Sequence, residues 1–367
     1  MKEEELLAVL RLQKTKSVGD ILAKKLIRVI GNASDIFSEK RHLLTKIDGI
    51  GSYTISNLFD EQNLRLAEKE LLLINKHNIA YSYFLDEDYP KNLRNCSDSP
   101  ILFFHEGNSD FFNSNMISVV GTRNMTPYGR GFTRELIEEL SQYNPTIVSG
   151  FAYGVDICAH NAAYKNNLET IAVLAHGFGH IYPKIHKKYM HQVLERGSFI
   201  TEFFYDENPL RENFLKRNRI VAGISQATIV VESAEKGGAL VTADIANSYN
   251  REVFAVPGKT SDIFSKGCNQ LIKNHKAQLL ESANDLAKML NWDLKKKEIK
   301  SKQTQLFVDL NEIEQTVLNF LKIHQQEQID IIALETKIPV YQLSTILLQM
   351  ELKGVVKPLP GKQFSII

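Results

Sequence analysis

Residues 116–150 read MISVVGTRNMTPYGRGFTRELIEELSQYNPTIVSG, and this stretch decides the fold. A short apolar run ends at Gly121, a helix-period stretch follows, and a second apolar run ends at Gly150. The pattern continues with TIAVLAHG (170–177), SFITEF (198–203), ATIVVES (227–233) and EVFAVPG (252–258). Short continuous apolar runs closed by glycine are what strands buried on both faces require. Every run except SFITEF is followed by an amphipathic stretch of about ten residues or more, the length that a right-handed crossover needs. The reading is a doubly wound, mostly parallel α/β domain over residues 79–292.

The flanks differ in character. Residues 1–78 carry helix-period leucines and valines (Leu6, Leu7, Val9, Leu10) broken by glycine turns, and predict a small all-helical domain. Within it KIDGIGSYTISNL (46–58) resembles a helix-hairpin-helix element, whose GxG turn presents amides to a DNA phosphate; a plain helix turn fits equally. Residues 293–309, DLKKKEIKSKQTQLFVD, have the lysine-rich, aperiodic composition of a solvated linker. Residues 310–367 then read as three helices and a hairpin around Pro360–Gly361, a winged helix. Its last helix lies in PVYQLSTILLQMELKG (339–354), which has no arginine and no lysine before Lys353. It therefore predicts a packing or partner surface, with Leu343, Ile346, Leu347 and Met350 as core, and not a groove reader.

Composition narrows the class. The 367 residues exceed one ordinary core, and 44 basic against 43 acidic residues leave nucleic-acid affinity to a local patch. Cys96, Cys158 and Cys268 form no CxxC pair, so neither a zinc site nor a disulfide framework is expected, and a reducing compartment fits. The acidic, amphipathic N-terminus is not a signal peptide, and no run approaches 18 apolar residues; a cytoplasmic location without membrane insertion is the expectation.

Three loops carry the chemistry. In the first, Gly121 and Arg123 stand between strand and helix. There amides face an anion, and a guanidinium pairs a phosphate bidentately or lies on the domain surface. In the second, SGFAYGVDICAHNAA (149–163), Gly150 and Gly154 allow close backbone approach and Asp156 sits in the helix's first turn. In the third, ESAEKGGALVTADIANSYN (232–250), Gly237 and Gly238 precede a helix. Neither of the first two loops is GxGxxG, so no dinucleotide cofactor is expected. The densest basic cluster is PLRENFLKRNRIVAG (209–223), where Arg211, Lys216, Arg217 and Arg219 surround Phe214 and Asn218. Single-stranded nucleic acid asks for cations on phosphates and an aromatic face under unpaired bases, although a basic loop over a core phenylalanine has the same composition. The cluster precedes the helix leading into ATIVVES, which puts it on the same sheet edge as Arg123.

Taken in order and spacing, GTR (121–123), SGFAYGVDICAH (149–160), FLKRNRIVAG (214–223), KGGALVTA (236–243) and REVFAVPG (251–258) resemble the DNA-processing protein A (DprA/Smf) family over roughly residues 80–290. The resemblance implies an extended Rossmann-like domain that binds single-stranded DNA without marked sequence preference, forms a homodimer, protects incoming DNA and helps load the RecA recombinase during natural transformation. It implies a mediator and not an enzyme. By position, Arg123 resembles the family's phosphate-contacting arginine and Phe214 its base-stacking aromatic. Arg211 stands where a basic residue is frequent, and Arg217, Asn218 and Arg219 match the RNR signature. His176 replaces a usual glycine, and KGGAL a serine-glycine pair. About four phosphate contacts predict a salt slope near −3.

Other readings are weaker. His176, His180, His186 and His191 do not share a helix face, so no metal site is expected, and VPGKT (256–260) lacks the glycine a Walker loop needs at Val253. The alternative from another class is a nucleotide-binding phosphoribohydrolase-like enzyme, whose glycine-rich loop works with a catalytic glutamate; here Asp244 is the nearest downstream acid. A small-nucleotide sensor would use the same anion-binding edge.

Overall fold

The computed structural model describes residues 1–292, 310–359 and 362–366. It divides into a large unit and a C-terminal unit, taken separately below.

The large unit opens with six helices: α1 (Glu3–Lys14), α2 (Asp20–Ile30), α3 (Ala33–Ser38), α4 (Arg41–Leu44), α5 (Ser52–Leu58) and α6 (Glu61–His77). Leu10, Leu12, Leu26, Ile27, Ile36 and Leu58 fill their core. The helix-hairpin-helix segment is a real turn: Gly49 takes φ +90°, and Gly51 caps α5.

Nine strands follow in one sheet, ordered β1-β2-β6-β5-β4-β3-β7-β8-β9. They are β1 (Ala80–Tyr83), β2 (Leu102–Gly107), β3 (Met116–Val120), β4 (Thr146–Ser149), β5 (Thr170–Val173), β6 (Gly197–Thr201), β7 (Ala227–Val230), β8 (Glu252–Ala255) and β9 (Gln278–Leu279). From β6 to β9 all pairings are parallel, whereas β1 and β2 extend the sheet antiparallel. The six apolar runs are the parallel centre, with β3, β4, β5, β6 and β7 buried along their length because helices cover both faces. Inside the sheet Ser118 donates to the Val221 carbonyl at 2.5 Å and Ser149 to the Val119 carbonyl at 2.6 Å, so neither hydroxyl is stranded.

The covering helices are α7 (Lys91–Arg94), α8 (Pro127–Leu140), α9 (Val155–Lys165), α10 (Met190–Arg196), α11 (Arg211–Ile224), α12 (Gly238–Ser248), α13 (Lys266–Lys273) and α14 (Ala283–Met289). One sequence expectation is corrected here. The basic cluster does not precede a helix; it is α11, which carries β6 to β7, so SFITEF too is followed by a crossover helix. Its apolar period is masked because Asn213 and Arg217 occupy the buried face. Connections leave β3 toward β4 and β7 toward β8, so the order reverses between β3 and β7, where this class of sheet opens a crevice at its C-terminal edge.

Buried polar contacts join the helical module to the sheet. Lys24 donates to Ser99 Oγ at 2.6 Å, Gln13 to the Leu102 carbonyl at 2.8 Å, and the Glu70 carboxylate accepts the Tyr205 N–H at 2.9 and 3.1 Å. Burial pushes the Glu70 pKa up to about 7, against the Tyr205 hydrogen bond and Lys14, which lower it. Because the folded value lies above the unfolded one, this carboxyl favours folding below about pH 4.5 and loses that contribution as pH rises through about 7. Glu70→Gln is expected to narrow the gap between melting temperatures at pH 5 and pH 8; an unchanged gap in calorimetric melts would count against the assignment.

The C-terminal unit has α15 (Glu312–His324), β10 (Gln326–Gln328), α16 (Ile329–Thr336), α17 (Val340–Leu352), β11 (Val356–Leu359) and β12 (Gln363–Ile366), with strand order β10-β12-β11. Asn311 and Glu314 form a reciprocal capping box at the start of α15. Leu343, Ile346, Leu347 and Met350 of α17 pack with Val317, Leu321 and Ile332, as a winged helix requires. The linker at 293–309 and the hairpin turn at Pro360–Gly361 lie outside the described residues.

Candidate nucleic-acid interface

A groove of about 770 Å³ opens at the switch point, over the C-terminal ends of β3, β4 and β7 and between α11 and α12. Ten of the residues singled out from the sequence line it: Gly121, Arg123, Gly150, Asp156, Arg211, Phe214, Arg217, Asn218, Gly237 and Gly238. Residues 123 and 214, 91 positions apart in the chain, meet here. The exposed Arg123 guanidinium stands 5.2 Å from the centre of the half-buried Phe214 ring, which also meets Tyr182 edge-on at 5.5 Å.

The helical period of α11 sorts its cluster. Arg211, Phe214, Leu215 and Asn218 recur at three- and four-residue steps and face the groove. Lys216 and Arg219 project away from it and line a separate concavity with Asp20, Asp98 and Glu202. The nucleic-acid contacts expected of Lys216 and of Arg219 therefore do not fall in this groove. The Arg219 guanidinium pairs with Asp20 at 3.1 Å, with Glu202, and with the Asp98 carbonyl. Burial works to lower its pKa, yet the Glu202, Asp20 and Asp98 carboxylates hold it above the ordinary value. It fastens the first helices to the sheet.

Arg217 also has an internal role. It is 4% exposed, beneath the groove, and donates to the Val173 carbonyl at 2.6 Å. A Cβ on Gly150 would overlap its guanidinium, so glycine is needed there to admit the side chain. Burial lowers the Arg217 pKa to about 10, opposed by Asp156, so it remains a cation at neutral pH. Asp156 is itself buried, which raises its pKa, while Arg217 and the Ala152 amide lower it. Both side chains line the floor of the groove.

Three strand-to-helix turns meet at this edge, and they are not equivalent. The expected anion seat at the start of α8 is filled by the chain's own Glu232, which accepts from Thr126 N–H at 2.9 Å and from the Thr126 hydroxyl. At α9, Asp156 accepts from Ala152 N–H at 3.3 Å, and Gly154 takes φ +77° where a Cβ would strike the Thr122 carbonyl. The α12 terminus differs. Gly237 caps it without a side-chain hydrogen bond, a Cβ on Gly238 would meet open space, and the exposed Lys236 stands beside it. Backbone donors at a helix start next to a lysine suit a phosphate.

Sequence reasoning did not single out Tyr182, Ser233 and Lys236, which also line the groove. Lys236 was readable, since it adjoins the glycine pair; Tyr182 was not, because only the fold brings it to Phe214. Three of the four histidines serve the main chain, while His191 packs edge-on against Tyr164. His176 and His186 are buried against the Gly177 and Phe151 carbonyls, and His180 bonds the Asp206 carbonyl. Asp244 is paired with Lys276 at 2.9 Å and does not line the groove.

Comparison with known proteins bears on this geometry. The family model described as DNA recombination-mediator protein A matches residues 80–291, and the model described as DprA winged helix domain matches residues 302–362. Protein Smf of Escherichia coli is 34% identical over 278 residues, covering 75% of this chain and 74% of its own. The DNA processing protein DprA of Streptococcus pneumoniae is 37% identical over 202 residues, 55% of this chain and 71% of its own. The solved structure of the Streptococcus pneumoniae protein superposes with a TM-score of 0.66 at 29% identity, over 78% of this chain and 98% of that one. A Helicobacter pylori DNA processing protein A, solved in a study of its single-stranded DNA binding mode, gives 0.52 at 29% identity over 57% and 95%.

Proposed function

From the premise that this chain belongs to the DNA recombination-mediator protein A family, we propose that it binds single-stranded DNA in the groove between α11 and α12. The observation that carries the reading is the meeting of Arg123 with Phe214 beside the open α12 terminus. A base stacks on the Phe214 face, its phosphate is held by Arg123, and the next phosphates are met by Arg211 and by Lys236 with the Gly237–Gly238 amides. A duplex keeps its bases stacked inside and offers no face to Phe214, so single strands are preferred. The chemistry is binding: protection of incoming DNA, its handover to the RecA recombinase in transformation, and action as a homodimer complete the proposal, supported by the family. No single helix among the described residues is long and apolar enough to cross a membrane.

Three cations, Arg123, Arg211 and Lys236, are exposed on the groove. With Arg217 and Arg219 engaged internally, the expected slope of log affinity against log salt is about −2, given roughly −0.7 per phosphate on single strands. Fluorescence anisotropy of labelled oligo-dT and a matched duplex over a salt series tests this. A flat response, or equal affinity for duplex, would reject the reading.

A further inference from the structure

Beside the crevice, and buried, stands a carboxylate for which strand binding has no use, that of Glu232. In doubly wound folds a nucleotide phosphate sits on the N-terminus of the helix that follows the strand at the switch point. Here that helix is α8, and Glu232, at the end of β7, occupies the seat. Thr126 N–H donates to one carboxylate oxygen at 2.9 Å, the Thr126 hydroxyl donates to the other, and the same hydroxyl accepts Gly129 N–H at 3.2 Å. Glu232 is 3% exposed, and Gly129 has no room for a Cβ because the carboxyl group stands there. At the next helix, α9, the buried Asp156 of its own first turn accepts instead from the Ala152 N–H ahead of the helix. The α8 turn at this edge is thus already neutralised by the chain itself.

We propose that Glu232 is a built-in anion that closes the phosphate seat of α8 against inorganic phosphate and free nucleotides. A second anion brought to those amides meets a like charge at contact range, a repulsive element that sets specificity as directly as an attractive one. The consequence for DNA rests on the proposed function: the polymer's phosphates are confined to Arg123, Arg211 and the α12 terminus, and a mononucleotide cannot anchor itself as a cofactor would.

The test uses full-length protein without DNA. Glu232→Ala, Glu232→Gln and the exposed control Glu138→Ala are melted in sodium phosphate and in sodium chloride of matched ionic strength. Glu232→Ala is expected to melt below wild type in chloride and to recover as phosphate is added, half-saturating at a phosphate concentration about tenfold or more below any response of wild type or control. Glu232→Gln keeps the shape and removes the charge; it is expected to fold and to respond in the same direction by a smaller factor. A phosphate response equal to that of wild type in both variants overturns the proposal, and Glu232→Gln alone decides it if the alanine variant does not fold. Failure here leaves the strand-binding reading standing, and failure of oligo-dT to bind leaves this one standing.

Discussion

Arg123→Ala/Phe214→Ala is expected to bind oligo-dT about 100-fold or more weakly than wild type at moderate salt. Loss of one base–aromatic stack costs about 1–3 kcal/mol, and loss of a charge-assisted contact to phosphate about 1.5–3 kcal/mol. The two terms are coupled, because the guanidinium stands 5.2 Å from the ring and each group orients the other. The single variants should therefore each lose more than half of the combined free energy, and a double-mutant cycle in anisotropy measures the excess. Arg123 is exposed and Phe214 half-buried, so melting temperatures should move little. Unchanged affinity in the double variant would move the binding site elsewhere, whatever the affinity of the wild type.

Arg217→Met should act in the opposite way, costing about 1–3 kcal/mol of stability because it leaves the buried Val173 carbonyl without its donor and removes a cation whose field favours the buried Asp156 carboxylate. In a domain of this size that is a fall in melting temperature on the order of 5 °C. Asp156→Asn should destabilise through the converse fault, a buried Arg217 without the field of the Asp156 carboxylate. Combining Arg217→Met with Asp156→Leu should recover part of the loss, since an apolar pair has no charge to desolvate. Calorimetry of the three variants checks this. Additive losses would show that the two side chains do not act as a pair.

The basic cluster of α11 shows how far composition reaches. Residues 211–219 announced a cationic segment around an aromatic, but only a helix divides it, turning Arg211, Phe214 and Asn218 to the groove and Lys216 and Arg219 away. Arg219 illustrates the limit: its partners Asp20 and Glu202 come from the first helices and the end of β6, and no local pattern records that pairing. Glu232 read as the polar end of a strand, and its capture by the α8 terminus depends on β7 lying beside β3. The antiparallel strands β1 and β2 stood outside the apolar series that begins at Met116, because AYSY and LFFHEG leave one end exposed.

Local sequence pattern was enough for the doubly wound sheet, the helical and winged-helix flanks, the three glycine turns and the picking out of Arg123 and Phe214, which the fold brings together. Those features are local: periodicity, glycine at a turn and a family signature are written over spans of five to twenty residues. Tertiary structure alone decided which charges face the solvent. Burial and pairing depend on residues brought together from distant parts of the chain, so an arginine that binds a phosphate and one that braces the fold are the same letter until the partners are in place.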